Sequence, residues 1–237
     1  MRRGWVVVAF LLAIDLLAGE PWRQKSYKEW NEHDVRKILN ESPWAKRIEL
    51  GSGQTKRDAM ELEGSDISEG DAGEEPVEGG DRGEVNDRGR ITFVVRWVSS
   101  RTIRQAWVRG EVLQKRISES DIDKFLPPPS DDCQLLIVGR DMSLFKKLDE
   151  ATLRARSFLF LTRSKQRISP IAAHIVRLPD GKGIKAILFH FWKKSVVSSA
   201  TQSIDDNDLR FVSPAGGTEI KTSFDLQKMV DNEGIDL

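Results

Sequence analysis

His174 and His190 are the side chains best placed to do chemistry, because both lie on apolar, strand-like stretches and imidazole is a proton carrier near neutral pH and a common metal ligand. Pairing Leu178 with Ile184 across the turn sequence PDGKG puts them on one face of a hairpin, diagonally offset. Two ligands do not complete a zinc site, and the third histidine, His33, lies far away beside a helix start. No metal and no cofactor is therefore expected, with His174 and His190 the nearest approach to a ligand set. Asp205, Asp206, Asn207 and Asp208 lack the alternate ligands, central glycine and distal glutamate of a calcium loop and read as a solvated loop. Asp121 and Asp123 read as turn or capping residues rather than as a hydrolytic pair. Cys133, the lone cysteine, opens an apolar run and reads as a small buried residue. G-x-S-x-G, P-loop and H-E-x-x-H patterns are all missing.

Positive packing signals without a catalytic signature point to binding. Arg96, Arg101 and Arg104 surround a turn from strand to helix, where the helix start and the guanidinium groups could receive an anion. Of the seven tryptophans, Trp30 fits a hydrophobic staple, Trp97 a strand face and Trp107 a buried helix stripe. Trp5 falls in the leading apolar stretch, and Trp22, Trp44 and Trp192 remain for the surface. The expected binding surface is accordingly Arg96, Arg101 and Arg104 with Trp44 and Trp192. Arg154, Arg156, Arg163, Lys165 and Arg167 flank the run FLFL, but Lys plus Arg and Asp plus Glu both number 37, so no global field draws the chain to nucleic acid. Those basic residues read as a helix end and loop whose long side chains lie over an apolar patch.

The elements that must position these residues follow from local patterns. Residues 1–19 form an export signal: two arginines, an apolar stretch over residues 5–17, then Ala18 and Gly19 as a cleavage point. The stretch is shorter than the roughly 20 residues that cross a bilayer, and Asp15 inside it costs about 2.5–3.5 kcal/mol near a helix centre. Cleavage is thus favoured over anchoring, and no stable membrane insertion is expected after the signal is removed. Residues 20–50 form a helix and strand motif: Asn31 caps with Asp34 three residues on, Val35, Ile38 and Leu39 make the apolar stripe, and Pro43 ends the helix. Residues 51–90, rich in Gly, Asp and Glu with no aromatic residue, read as an acidic disordered insert.

Residues 91–237 then read as the α+β domain. Ile91, Phe93, Val95 and Trp97 alternate as a strand; Ser100 caps a helix carrying Ile103, Ala106, Trp107, Gly110, Leu113 and Ile117; CQLLIVG is a second strand and residues 144–155 a second helix. Two hairpins follow, one closed by PDGKG and one around residues 214–218, with a helical turn in the tail. The expected fold is a single α+β domain, a mixed sheet flanked by helices in the order β-α-β-α and then two β-hairpins. The apolar strand at residues 184–192 should lie centrally with helices over one face.

Three segments carry a resemblance. KEWNEHDVRKILNESPWAK, VVRWVSS followed by Arg101 and Arg104, and IKTSFDLQKMVDNEGIDL resemble an uncharacterised family of exported acidobacterial proteins. That family shows W-x-E-x-x-V-x-K-I-L-x-x-S-P-W near the mature start, V-x-R-W centrally and F-x-L-x-x-M-V at the end. It has no established activity, so the resemblance implies export and a shared fold and no catalytic residue. The expected function is a secreted or periplasmic, noncatalytic binding or assembly module whose partner is a protein or another envelope component. The alternative is a secreted hydrolase-like enzyme with a site near the central hairpin.

Overall fold

Apolar alternation and helix caps place the elements in the computed structural model, which describes residues 20–51, 90–161, 165–202, 208–231 and 234–237. The N-terminal motif supplies α1 (Pro21–Gln24), α2 (Glu32–Asn40) and β1 (Ala45–Gly51). Next come β2 (Arg90–Trp97), α3 (Arg101–Leu113), β3 (Asp132–Gly139), α4 (Glu150–Arg156), β4 (Phe158–Leu161) and β5 (Arg167–Ile168). The remainder is β6 (Ala172–Arg177), β7 (Ile184–Trp192), α5 (Lys193–Gln202), β8 (Asp208–Ala215), β9 (Thr218–Asp225), β10 (Val230–Asp231) and β11 (Gly234–Ile235).

Two sheets carry the fold, one ordered β1-β2-β3-β7-β6 and the other β5-β4-β8-β9. The α+β class is as the sequence implies, but the sheet expected to be mixed has only antiparallel neighbours. The reason lies in the connection after α3. Its 13 residues return the chain by about 20 Å, and residues 114–131 then climb back, so that β3 starts where β2 ends, with Leu135 opposite Trp97.

The core fills the space between the sheets. Phe93, Val95, Trp97, Leu135, Phe189 and Phe191 are fully buried on one side, and Leu159, Leu209, Phe211, Ile220 and Phe224 on the other. Edge-to-face ring pairs cross the gap, Trp97 with Phe224 at 5.5 Å and Phe189 with Phe211 at 5.3 Å between centroids. Each such side chain contributes roughly 1.5–3 kcal/mol by leaving water, while an exposed ion pair contributes about 0–1 kcal/mol. The sandwich core, not the surface charge, holds the molecule.

The second sheet contains the hairpin expected around residues 214–218, now β8 and β9, and what sequence patterns missed is its extension by β4 and β5. Of the basic residues, Arg154 and Arg156 do end α4 and Lys165 lies in a loop, but Arg167 belongs to β5 and FLFL is β4, hydrogen-bonded between β5 and β8, because a short apolar run can form a strand. The idea of basic side chains over apolar surface survives in one place, where the Arg167 guanidinium stands 3.6 Å above the Phe158 ring. β7 lies inside its sheet as expected, but the face that carries Phe189 packs on the second sheet, against Phe211, where a helix layer was expected. The second helix also differs: Asp149 accepts a hydrogen bond from the Thr152 amide at 2.7 Å and starts α4 afresh, leaving residues 143–145 as a single 3-10 turn.

Other local readings are met. Asn31 and Asp34 form a reciprocal capping box, and Trp30 and Val35 are buried together as the staple requires. The PDGKG hairpin closes with Gly181 at φ 70°, a left-handed position that suits glycine. The expected signal and most of the acidic insert lie outside the described residues. No helix among the described residues is long and apolar enough to cross a membrane.

Gly51 and Arg90 are themselves paired, so residues 52–89 leave and re-enter a closed hairpin. Replacing residues 52–89 with Asn-Gly is expected to keep the register and leave the unfolding temperature unchanged or slightly raised, because shorter loops cost less entropy. A fall of many degrees in a thermal melt would show that the replaced residues pack on the domain.

Candidate functional site

The turn between β2 and α3 is occupied by the chain's own carboxylate. Ser100 caps α3 by accepting from the Ile103 amide at 3.2 Å. Asp236 accepts from the Arg101 amide at 2.5 Å, from the Thr102 amide at 3.0 Å and from the Thr102 hydroxyl at 2.8 Å. The anion expected at this helix start is therefore internal. The same residue accepts from Trp44 Nε1 through its backbone carbonyl at 2.7 Å and donates its amide to Met229 at 2.8 Å.

Around this clasp the expected binding residues separate. Arg96 turns to the end of α2, donating to the Leu39 carbonyl and to Asn40 Oδ1 at 3.1 Å. Burial pushes its guanidinium down to about 10, which leaves it charged at neutral pH. Arg104 is buried, donates to the Ser99 carbonyl at 3.2 Å and to the Pro127 carbonyl, and so ties the triple-proline loop to α3. Trp44, expected on the surface, is buried against Trp22 at 5.9 Å, because the Pro43 turn aims it inward toward the closing segment. Arg101 lines an open cleft of about 270 Å³ with Trp22, Lys25, Tyr27 and Gln105. Trp192 alone stands well out, 60% exposed, on the first sheet beside Asp132.

A different aromatic surface is assembled on α3. Ile103, Ala106 and Gly110 face α2, where a Cβ on Gly110 would meet Val35 at an ordinary 3.6 Å. Val108 and Val112 pack on Ile122 of the 3-10 segment Glu119–Phe125. Trp107 and Glu111 fall in the angular gap between these two covered sides. Trp107, expected in the buried stripe, is consequently 40% exposed and Phe125 is 56% exposed. With Val108, Ile117 and Pro127 they line an open groove of about 400 Å³, edged by Glu111.

The groove's walls are pinned. Asp123 accepts from the Tyr27 hydroxyl and from Lys28 Nζ at 2.5 Å, while Arg109 donates to the Trp30 carbonyl at 2.7 Å and to Glu119 at 2.6 Å. Burial, and then the Asp123 carboxylate, push the Tyr27 phenol up to about 12. The hydrogen bonds from Lys28 and Tyr27 hold Asp123 below the usual carboxylate range. The sequence offered one sign of this surface, the apolar pair Phe125 and Leu126 leading into three prolines.

On the first sheet the two histidines meet on one face as expected, although Ile184 pairs with Arg177 rather than Leu178 and a bulge between Val176 and Arg177 restores the alignment. The pairs His174–Leu188 and Ala172–His190 set them diagonally on one face, with ring centroids 5.2 Å apart at 81°. His190 Nδ1 is hydrogen-bonded to Asp132, which also receives Ser130 and, at 3.0 Å, Gln134 Nε2. Burial works against the Asp132 carboxylate, but these hydrogen bonds outweigh it and keep its pKa low. Fixing Nδ1 as the donor leaves Nε2 as the imidazole's acceptor. Among the described residues no group of three His, Cys, Asp or Glu has metal-holding geometry. Cys133 is buried on the core face, and burial pushes its thiol up to about 12, so it is neither nucleophile nor ligand at neutral pH.

Comparison of the chain with protein-family models, with curated proteins and with solved structures finds no match.

Asp236→Ala is expected to cost about 2–4 kcal/mol in urea unfolding, since it strands two helix-start amides and removes a charged acceptor. A change below half a kcal/mol would show the clasp to be incidental. Tyr27 is the sole tyrosine, so the phenolate absorbance at 295 nm reads it alone. A midpoint near 12 is expected, falling toward the ordinary value near 10 in Asp123→Ala. The folded pKa being raised, this stabilisation is present below about pH 10 and lost as pH rises through about 12.

Proposed function

We propose that the chain is an exported, noncatalytic binding or assembly module acting in the periplasm or outside the cell on a protein or other envelope component. The groove of Trp107 and Phe125 carries this reading. Trp107 and Phe125 keep 40% and 56% of their surface exposed while Trp30, Trp44 and Trp97 are buried, and the groove's walls are fixed before any partner arrives. Binding energy concentrates where preformed pockets desolvate large rings. The partner suited to this groove is a protein segment with an apolar anchor. The leading arginines and apolar stretch support export, and membership in the exported acidobacterial family is part of the same proposal.

The Asp132–His190 pair favours a second reading, the secreted hydrolase near the central hairpin. Asp132 holds the imidazole as a general base would be held. However, the hydroxyl in the cluster, Ser130, gives its hydrogen to Asp132 rather than to the imidazole. The pair therefore activates no nucleophile of its own.

A photo-crosslinking phenylalanine in place of Trp107, in cells making the full chain, is expected to trap a discrete envelope partner. That partner's affinity should fall about tenfold or more in Trp107→Ala and Phe125→Ala, with the unfolding temperature shifted by only a few degrees. Affinity indifferent to both changes would remove the groove from consideration. Turnover of esters or peptides that disappears in His190→Ala would instead establish the hydrolase reading, and recovery of material still carrying residues 1–19 from cytosol would refute export.

A further inference from the structure

The paired imidazoles of β6 and β7 are flanked on both outer sides by carboxylates. Asp132 of β3 engages His190 Nδ1, and Glu150 Oε1 lies 3.8 Å from His174 Nδ1. Glu150 is itself fixed, because the same oxygen accepts the Ile175 amide at 2.8 Å. The resulting row is carboxylate, imidazole, imidazole, carboxylate. In metal centres a carboxylate on one ring nitrogen sets the tautomer and makes the other nitrogen a better ligand. Here His190 carries that partner on Nδ1, which leaves its Nε2 uncommitted, while Glu150 stands beside His174 Nδ1 at ion-pair rather than hydrogen-bond distance.

We propose that His174 and His190 form a two-imidazole site for a borderline divalent transition ion such as Zn²⁺, with Asp132 orienting His190 and Glu150 adding negative charge beside His174. A zinc ion about 2.0–2.1 Å from two imidazole nitrogens at a tetrahedral angle sets the ring centres roughly 5 Å apart. Their separation in the structure is 5.2 Å, with ring planes nearly perpendicular. His174 is about half exposed, so an ion reaches it from solvent. Antiparallel pairing with neighbours on both sides of β7 holds the diagonal offset rigid. Two nitrogens leave coordination positions for water, and no third His, Cys, Asp or Glu among the described residues completes the set. Imidazole donors favour zinc or nickel over calcium or magnesium, which take oxygen ligands. The site rests on sheet residues and shares none with the α3 groove.

The test is a calorimetric titration of Zn²⁺ into the untagged full chain at pH 7.5 in a non-chelating buffer. One ion per chain is expected, unaffected by excess Mg²⁺, lost in His174→Ala and in His190→Ala, and retained in His33→Ala. Asp132→Asn should weaken it by about 10–100-fold. His174→Ala alters an exposed side chain, so its loss of binding cannot be blamed on unfolding, which circular dichroism checks. Absence of binding heat, or binding that persists in His174→Ala, would overturn the site and leave the two rings as a packing pair.

Discussion

The closing segment's carboxylate at the start of α3 is the constraint on which the arrangement of the N-terminal motif, the helix and the tail depends. A helix start presents amides without intrahelical partners and a partial positive charge. A buried carboxylate needs donors to offset its lost hydration. Asp236 and α3 satisfy each other's requirement, with three hydrogen bonds to one carboxylate. Through its backbone the same residue takes the Trp44 indole, so residues far apart in sequence meet at one point. Pairing between β10 and β11, two residues each, would be marginal alone, and the clasp together with buried Leu226, Met229 and Leu237 fixes it.

Clamping α3 in this way explains the exposed groove. One side of the helix is taken by α2 and another by the 3-10 segment, which Arg104, Arg109 and the Tyr27–Asp123 contact hold in place. A residue in the remaining angular sector cannot reach either core without rotating the helix, and Asp236 and Ser100 fix that rotation at its first turn. Trp107 is left at the surface for geometric reasons, yet nothing in the packing requires so large an apolar residue there. Phe125 stands on the opposite wall with the same surplus of apolar surface, and their coincidence in one groove gives the binding reading its force.

How much could be read from sequence follows from the range of each interaction. The α2 capping box, the Ser100 cap, the alternation in β2 and the glycine turn before β7 depend on neighbours a few residues away, and each stands where the pattern placed it. The diagonal offset of His174 and His190 also stands where it was expected, but through a bulge and not the turn alone: Arg177, not Leu178, pairs with Ile184, and a register shift between Val176 and Arg177 restores the alignment. Their carboxylates were not legible, since Asp132 reaches His190 only because β3 lies beside β7 across a connection of many residues. FLFL became a strand through partners elsewhere in the chain, and the antiparallel course of β3 through the length of α3 and its return. Arginine spacing alone suggested an anion site, but the anion is Asp236, which no local signal connects to Arg101.

The two candidate surfaces are carried by structurally separate parts of one rigid framework. The groove belongs to α3 and the segment after it, which continue from β2, while the imidazoles sit on β6 and β7 toward the other edge of the same sheet. From β2 through β3 and β7 to β6 is three strand spacings, about 14–15 Å. Between them lie fully buried residues of the sandwich core, Phe93, Leu135 and Phe189 among them, packed too tightly for one site to shift without disturbing the sheet. Were both proposed surfaces used, a partner large enough to reach the groove and the imidazole pair would combine them by geometry alone.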